Sequence, residues 1–192
     1  MNVNDKVSME YEARVMIDEK QYDSIKSFYL NKKEPKKIFT NKNTYFDDED
    51  LYLTYHHMVL RIRQIDEDKK ELTLKIKEKD GDIEITSDKY DSLLKGKLDD
   101  LEMIEALKLR GADPSKLKIV TTLITERIEI PYDNYLLVID KNYYNDKVDY
   151  NIEVESSSRE EAEKYLLEII KPFNVKYKKD YISKSRRAIL KL

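Results

Sequence analysis

The sequence predicts an α+β protein built on an antiparallel sheet of seven or eight strands, with helices covering its apolar face. Two observations lead there. Segments of period-2 alternation recur along the chain, and several of them set charged side chains on one face against apolar ones on the other. Between them lie segments with helical spacing and recognisable start and stop signals. An amphipathic helix needs an apolar surface to cover, so the helices pack outside a curved sheet and the charged faces line a concave or closed interior. Closure would also remove edge strands.

The first strand runs from about Val7 to Ile17, with Glu10, Glu12 and Arg14 alternating with Tyr11, Ala13 and Val15. Asp18 then reads as an N-cap with Gln21 as its capping-box partner, opening a helix to about Leu30 with Ile25, Phe28 and Tyr29 as its apolar stripe. Lys36 to Phe46 is a second strand, ending in the acidic turn Asp47-Asp48-Glu49-Asp50. Lys36 and Lys37 read as solvated surface. Leu51 to His57 is short and helical or irregular, and Met58 to Ile65 is a strand with Arg61 and Arg63 opposite Leu60 and Ile62.

Glu71 to Lys79 groups Thr73, Lys75 and Lys77 opposite Leu72, Leu74 and Ile76, and a short strand follows Gly81, around Ile83 to Thr86. Ser87 to Arg110 is two helices broken at Gly96, closed by Gly111 and Pro114. Strands resume at Ile119 to Ile130, carrying Arg127 and Glu129, and at the mostly apolar Asn134 to Asp140. Tyr143 and Tyr144 read as packing groups. Val148 to Glu155 sets Asp149, Asn151, Glu153 and Glu155 against Tyr150, Ile152 and Val154. A helix from Ser158 to Ile170 is stopped by Pro172, and Ser183 to Leu192 is a short basic helix with Lys184, Arg186 and Arg187. With no internal repeat and no linker, residues 1–192 read as one domain.

Composition narrows the function. Charged residues make up 39% of the chain, yet the net charge is only −3, so no global field for nucleic acid or membrane is indicated. The absence of cysteine excludes thiolate metal ligands and a cysteine nucleophile. No apolar run approaches the roughly 18 residues of a membrane span, and the first residues lack a signal-peptide core, so a cytoplasmic protein is expected. Adjacent His56 and His57 point apart in an extended chain and do not suggest a metal pair.

Two acidic strand faces, Glu10/Glu12 and Glu153/Glu155, and two basic ones, Arg61/Arg63 and Lys75/Lys77, remain to be explained. Clustered carboxylates repel unless protonated or bridged by cations. Oxygen-only donors favour a hard ion, Mg²⁺ or Mn²⁺. Arginine forks and lysine point charges suit phosphate oxygens. A polyphosphate chelated to a divalent metal satisfies both sets; the same patterning also describes a solvated sheet face laced with cross-strand ion pairs.

The ordered series Glu10-x-Glu12-x-Arg14, Tyr45-Phe46-Asp47, Arg61-x-Arg63, Leu72-Thr73-Leu74-Lys75-x-Lys77, Arg127-x-Glu129, Asp140, Asp149-Tyr150-x-x-Glu153-x-Glu155 and Ser183-Lys184-x-x-Arg187 resembles the CYTH superfamily of triphosphate tunnel metalloenzymes over nearly the whole chain. The pattern is closest to its bacterial branch. The resemblance implies an eight-stranded antiparallel closed barrel forming a tunnel, with a C-terminal helix plugging or lining one end. By position it implies Glu10, Glu12, Glu153, Glu155 and, more weakly, Asp140 as metal ligands. It likewise implies Arg14, Arg61, Arg63, Lys75, Lys77, Arg127, Lys184 and Arg187 as phosphate-binding groups, with Glu12, Glu153 and Lys75 carrying catalysis. Two departures stand out: Arg14 replaces the usual lysine, and Asn151 sits where many relatives have a third glutamate.

The function so implied is metal-dependent hydrolysis of a triphosphate-containing small molecule, inorganic triphosphate being simplest because nothing reads as a nucleoside pocket. The alternatives are an adenylyl cyclase of the same fold, a nucleoside or thiamine triphosphatase, and a non-catalytic polyphosphate or nucleotide binder. No nucleic-acid or membrane partner is expected, and a homodimer stays open.

Overall fold

The alternation along the chain does produce strands, and they join in one closed ladder. A computed structural model describes residues 7–32, 35–67, 69–79, 81–178 and 182–192. Its strands are β1 (Val7–Ile17), β2 (Lys37–Asp47), β3 (Met58–Ile65), β4 (Lys69–Lys77), β5 (Asp82–Ser87), β6 (Lys118–Pro131), β7 (Tyr135–Tyr144) and β8 (Lys147–Ser156). They hydrogen-bond in the order β1-β5-β4-β3-β2-β6-β7-β8, a closed antiparallel barrel. The helices among the described residues are α1 (Glu19–Leu30), α2 (Tyr52–Tyr55), α3 (Tyr90–Leu94), α4 (Leu101–Leu109), α5 (Arg159–Ile170) and α6 (Lys184–Ile189). None is long and apolar enough to cross a membrane.

The chain divides into two compact units, one built mainly from Lys42–Leu123 and Lys184–Leu192, the other from Glu10–Asn41 and Ile124–Ser183. Each has its own apolar core. In the second unit α1 and α5 lie on the apolar sheet face: Tyr22, Ile25 and Tyr29 from α1 and Ala162, Leu166, Ile169 and Ile170 from α5 pack on Ala13, Val15, Ile139, Ile152 and Val154. In the first unit Leu53, Leu93, Met103 and Leu107 cover Leu60, Ile62, Leu72, Leu74 and Ile76. In both, burial of alternate strand residues is the force that assigns the charged residues to the opposite face.

Helix α1 starts as expected: the Asp18 carboxylate accepts from the Gln21 amide at 2.8 Å while the Gln21 side chain accepts from the Asp18 amide at 3.1 Å. Its buried stripe differs from expectation. Tyr22 takes the place of Phe28, which is 47% exposed and sits edge-on to Tyr29 and Phe173. Tyr22, Ile25 and Tyr29 are spaced three and four apart on one helix face, whereas Phe28 lies about 100° round from Tyr29.

Three other local readings are corrected. Lys36 is not simple solvated surface: its ammonium donates to the carbonyls of Leu30 and Lys32, both at 2.8 Å, closing α1 where carbonyls have no helical partner. Asp47, read as the first residue of the acidic turn, is the last residue of β2: it is fully buried and accepts from the amides of Asp48, Leu53 and Thr54 and the hydroxyl of Thr54. Strand β7 runs past Asp140 to Tyr144, because Lys141–Tyr144 pair with Lys147–Tyr150 across the β7–β8 hairpin.

Candidate active site

Register fixes the acidic site. In the β1–β8 ladder Glu12 stands opposite Glu155 and Arg14 opposite Glu153. Directly opposed like charges destabilise an antiparallel pair, so the Glu12–Glu155 step has no place in a face built only for cross-strand ion pairing. Glu12, Glu153 and Glu155 each present a carboxylate oxygen within 4.8 Å of the others. Burial raises the Glu155 carboxyl from 4.5 to about 7; Arg127 opposes this, and Glu153, Glu10 and Glu12 reinforce it.

Two arginines thread the cluster. Arg14, itself buried, donates to Glu12 at 2.8 Å and pairs through Nε with Glu153. Arg127 on β6 faces Asp140 on β7 and binds it with both forks, Nε to Oδ1 and Nη2 to Oδ2, each 2.9 Å. Its Nη2 also reaches Glu153 at 3.1 Å. Burial pulls the Arg127 guanidinium down, but Asp140 and Glu153 outweigh it and hold the group well above its ordinary value.

Behind this pair lies a buried amide network. Asn151 is fully buried and contacts Asp140 at 3.4 Å; Asn142 donates to Asn151 at 2.8 Å and to Asp149 at 2.9 Å; Thr125 donates to Asn142 at 2.9 Å. Tyr144 donates to Asp149 and Tyr143 to Glu126, both at 2.6 Å. Sequence reasoning singled out Asn151 only as a missing charge and passed over Asn142 and Thr125. The available signal was their period-2 spacing, Asn142 with Asp140 and Thr125 with Arg127.

In the other unit, the polar face of β3, β4 and β5 carries Arg61, Arg63, Thr73, Lys75 and Glu84. Arg61 Nη2 approaches Glu84 at 3.6 Å, Arg63 approaches Glu71 at 3.5 Å, and Lys75 approaches Asp82 at 3.6 Å. Lys77, at the strand end opposite Asp82, is exposed. On α6, Arg187 is buried and Lys184 partly so.

The structure therefore brings Glu12, Glu153 and Glu155 together with Arg14, Arg127 and Asp140. Glu10 and Asp140 fall outside the three-carboxylate group among the described residues, and Asp140 has both oxygens on Arg127. The donor set, three carboxylates without thiol or imidazole, suits a hard divalent cation, and such a charge would offset the mutual repulsion of these carboxylates.

A closed eight-stranded barrel with paired glutamates on one ladder defines a recognisable class of protein. The CYTH domain model matches residues 8–189, and this chain belongs to the CYTH domain family. Among solved structures, the chain is similar to an adenylate-cyclase candidate from Bacillus halodurans, with 27% identity, 95% of this chain and 98% of that chain covered, and a TM-score of 0.82. It shares its fold with an adenylyl-cyclase candidate from Hippeastrum that has a dominant triphosphatase activity (20% identity, 93% and 94% covered, TM-score 0.68). The fold is also that of the PH1012 protein of Pyrococcus horikoshii (16% identity, 94% and 99% covered, TM-score 0.61). No curated protein matches the chain.

Proposed function

We propose that this protein is a divalent-metal-dependent hydrolase of triphosphate-containing small molecules, with inorganic triphosphate as the simplest substrate. The observation that carries it is the direct opposition of Glu12 and Glu155, with Glu153 beside them. Non-catalytic anion binding has no use for three converging carboxylates, whereas Mg²⁺ or Mn²⁺ does. The triphosphatase activity of the Hippeastrum protein supports the same substrate class.

Glu12, Glu153 and Glu155 would hold the ion, with Glu10 nearby as a reserve of negative charge. A divalent ion there supplies Lewis-acid charge toward phosphoryl oxygens. The rest falls to side chains. Arg14, Arg61, Arg63, Lys75, Lys77, Arg127, Lys184 and Arg187 bind and orient phosphate oxygens and offset the charge that develops on the leaving phosphate. Arg14 does so in competition with Glu12 and Glu153, its partners in the unliganded protein. Arg127 is already held in place by Asp140, so little ordering remains to be done when substrate arrives.

The adenylate-cyclase descriptions of two similar structures favour a second reading, cyclisation of ATP. Product analysis separates the two. Protein incubated with Mg²⁺ or Mn²⁺ and, in turn, inorganic triphosphate, ATP and thiamine triphosphate should release phosphate. Pyrophosphate together with cyclic AMP would establish the cyclase instead, and tight binding without turnover would overturn both.

A further inference from the structure

We propose that the Thr73 hydroxyl is a phosphate-binding group, donating to a phosphoryl oxygen on the polar face of β3 and β4 beside Arg61 and Lys75. The inference deepens the triphosphate reading and rests on it. Thr73 is fully buried, yet its neighbours Leu72 and Leu74 take the apolar face, which leaves its side chain on the charged one. Across the ladders it stands opposite Arg61 on β3 and Thr86 on β5.

Its Oγ1 and the Nε of Arg61 are both buried and have no hydrogen-bond partner among the described residues. Buried polar atoms are nearly always paired, because leaving one unmade forfeits its hydration. Two such atoms at facing positions of one ladder therefore mark a place kept for a ligand. Arg61 stands 3.6 Å from Glu84, beyond hydrogen-bond range, and Lys75 lies two residues along β4 on the same face as Thr73. A guanidinium, a hydroxyl and an ammonium all donate, so the ligand must accept several hydrogen bonds and carry negative charge. A phosphoryl group does both.

The test is binding of inorganic triphosphate to the full-length, chelator-treated protein by titration calorimetry, with thermal melting of the unliganded protein alongside. Thr73→Val keeps the shape and removes the hydroxyl; it should weaken triphosphate binding about tenfold. Because the hydroxyl has no partner among the described residues, the same variant should melt at the same temperature as the wild type or about 2 °C higher. Thr73→Ser should bind within about twofold of wild type. Unchanged affinity in Thr73→Val, or a lowered melting temperature that Thr73→Ser restores, would overturn the assignment while leaving the triphosphate reading intact. Failure of the wild type to bind triphosphate would overturn the site as a phosphate site altogether.

Discussion

Glu12 faces Glu155 directly across the β1–β8 ladder, two carboxylates where an antiparallel sheet ordinarily places an ion pair or an apolar contact. The neighbouring step, Arg14 opposite Glu153, is a conventional pair, so the anomaly is confined to one position. Protonation or a cation can relieve it, and those two remedies compete.

The competition sets a pH dependence. Burial and the surrounding glutamates raise Glu155 from 4.5 to about 7, so the folded protein favours its protonated form. In the metal-free protein this contribution to stability is full below the unfolded carboxyl value and is lost as pH rises through about 7. Metal needs the carboxylate, so Mn²⁺ affinity should run the other way, rising about tenfold from pH 6 to pH 8. Electron paramagnetic resonance titration of free Mn²⁺ reads this, and Glu155→Gln should flatten the slope. A pH-independent affinity would contradict it.

Removing a ligand should abolish turnover without unfolding the chain. Glu12 is partly exposed, so Glu12→Gln should keep the wild-type circular dichroism spectrum while lowering metal-dependent phosphate release by at least about a hundredfold. Wild-type turnover in this variant would show that Glu12 is no ligand.

Asp140 should matter for stability as much as for chemistry. It is fully buried and neutralises Arg127, so Asp140→Ala leaves a buried guanidinium with less compensation, at a cost of about 3 kcal/mol or more in urea denaturation. A loss below about 1 kcal/mol would mean that the Arg127–Asp140 pair is not a structural anchor.

Asp47 tests the fold away from the acidic cluster. Substitution by alanine strips acceptors from the buried amides of Leu53 and Thr54 and from the Thr54 hydroxyl, and should cost about 3 kcal/mol by the same measurement. Asn in its place should recover part of that loss, since one carbonyl oxygen still accepts. Equal stability of Asp47→Ala and wild type would refute the role.

How much of this the sequence shows follows from what is local and what is not. Alternation places Glu12, Arg14, Glu153 and Glu155 on polar strand faces, and the Asp18–Gln21 capping box is a three-residue signal; both are legible in a linear reading. Register is not. That Glu12 meets Glu155, or that Asn142 finds Thr125, Asp149 and Asn151, depends on pairings between strands far apart in the chain. Lys36 was misread for the same reason: its charge suggests a wet surface, but the fold turns helix-end carbonyls toward it. The acidic run at Asp47 likewise gives no sign of the backbone amides of Leu53 and Thr54 that fold onto its carboxylate. Division into two units, each with its own apolar core, leaves no mark on composition.

Phosphate release from inorganic triphosphate, followed first in chelator-treated protein and then after Mn²⁺ is added back, tests most directly whether the three converging glutamates serve metal-dependent hydrolysis. No release without the ion and full release on its return is the expected result. Release at an equal rate with and without metal, or none under either condition, would contradict it.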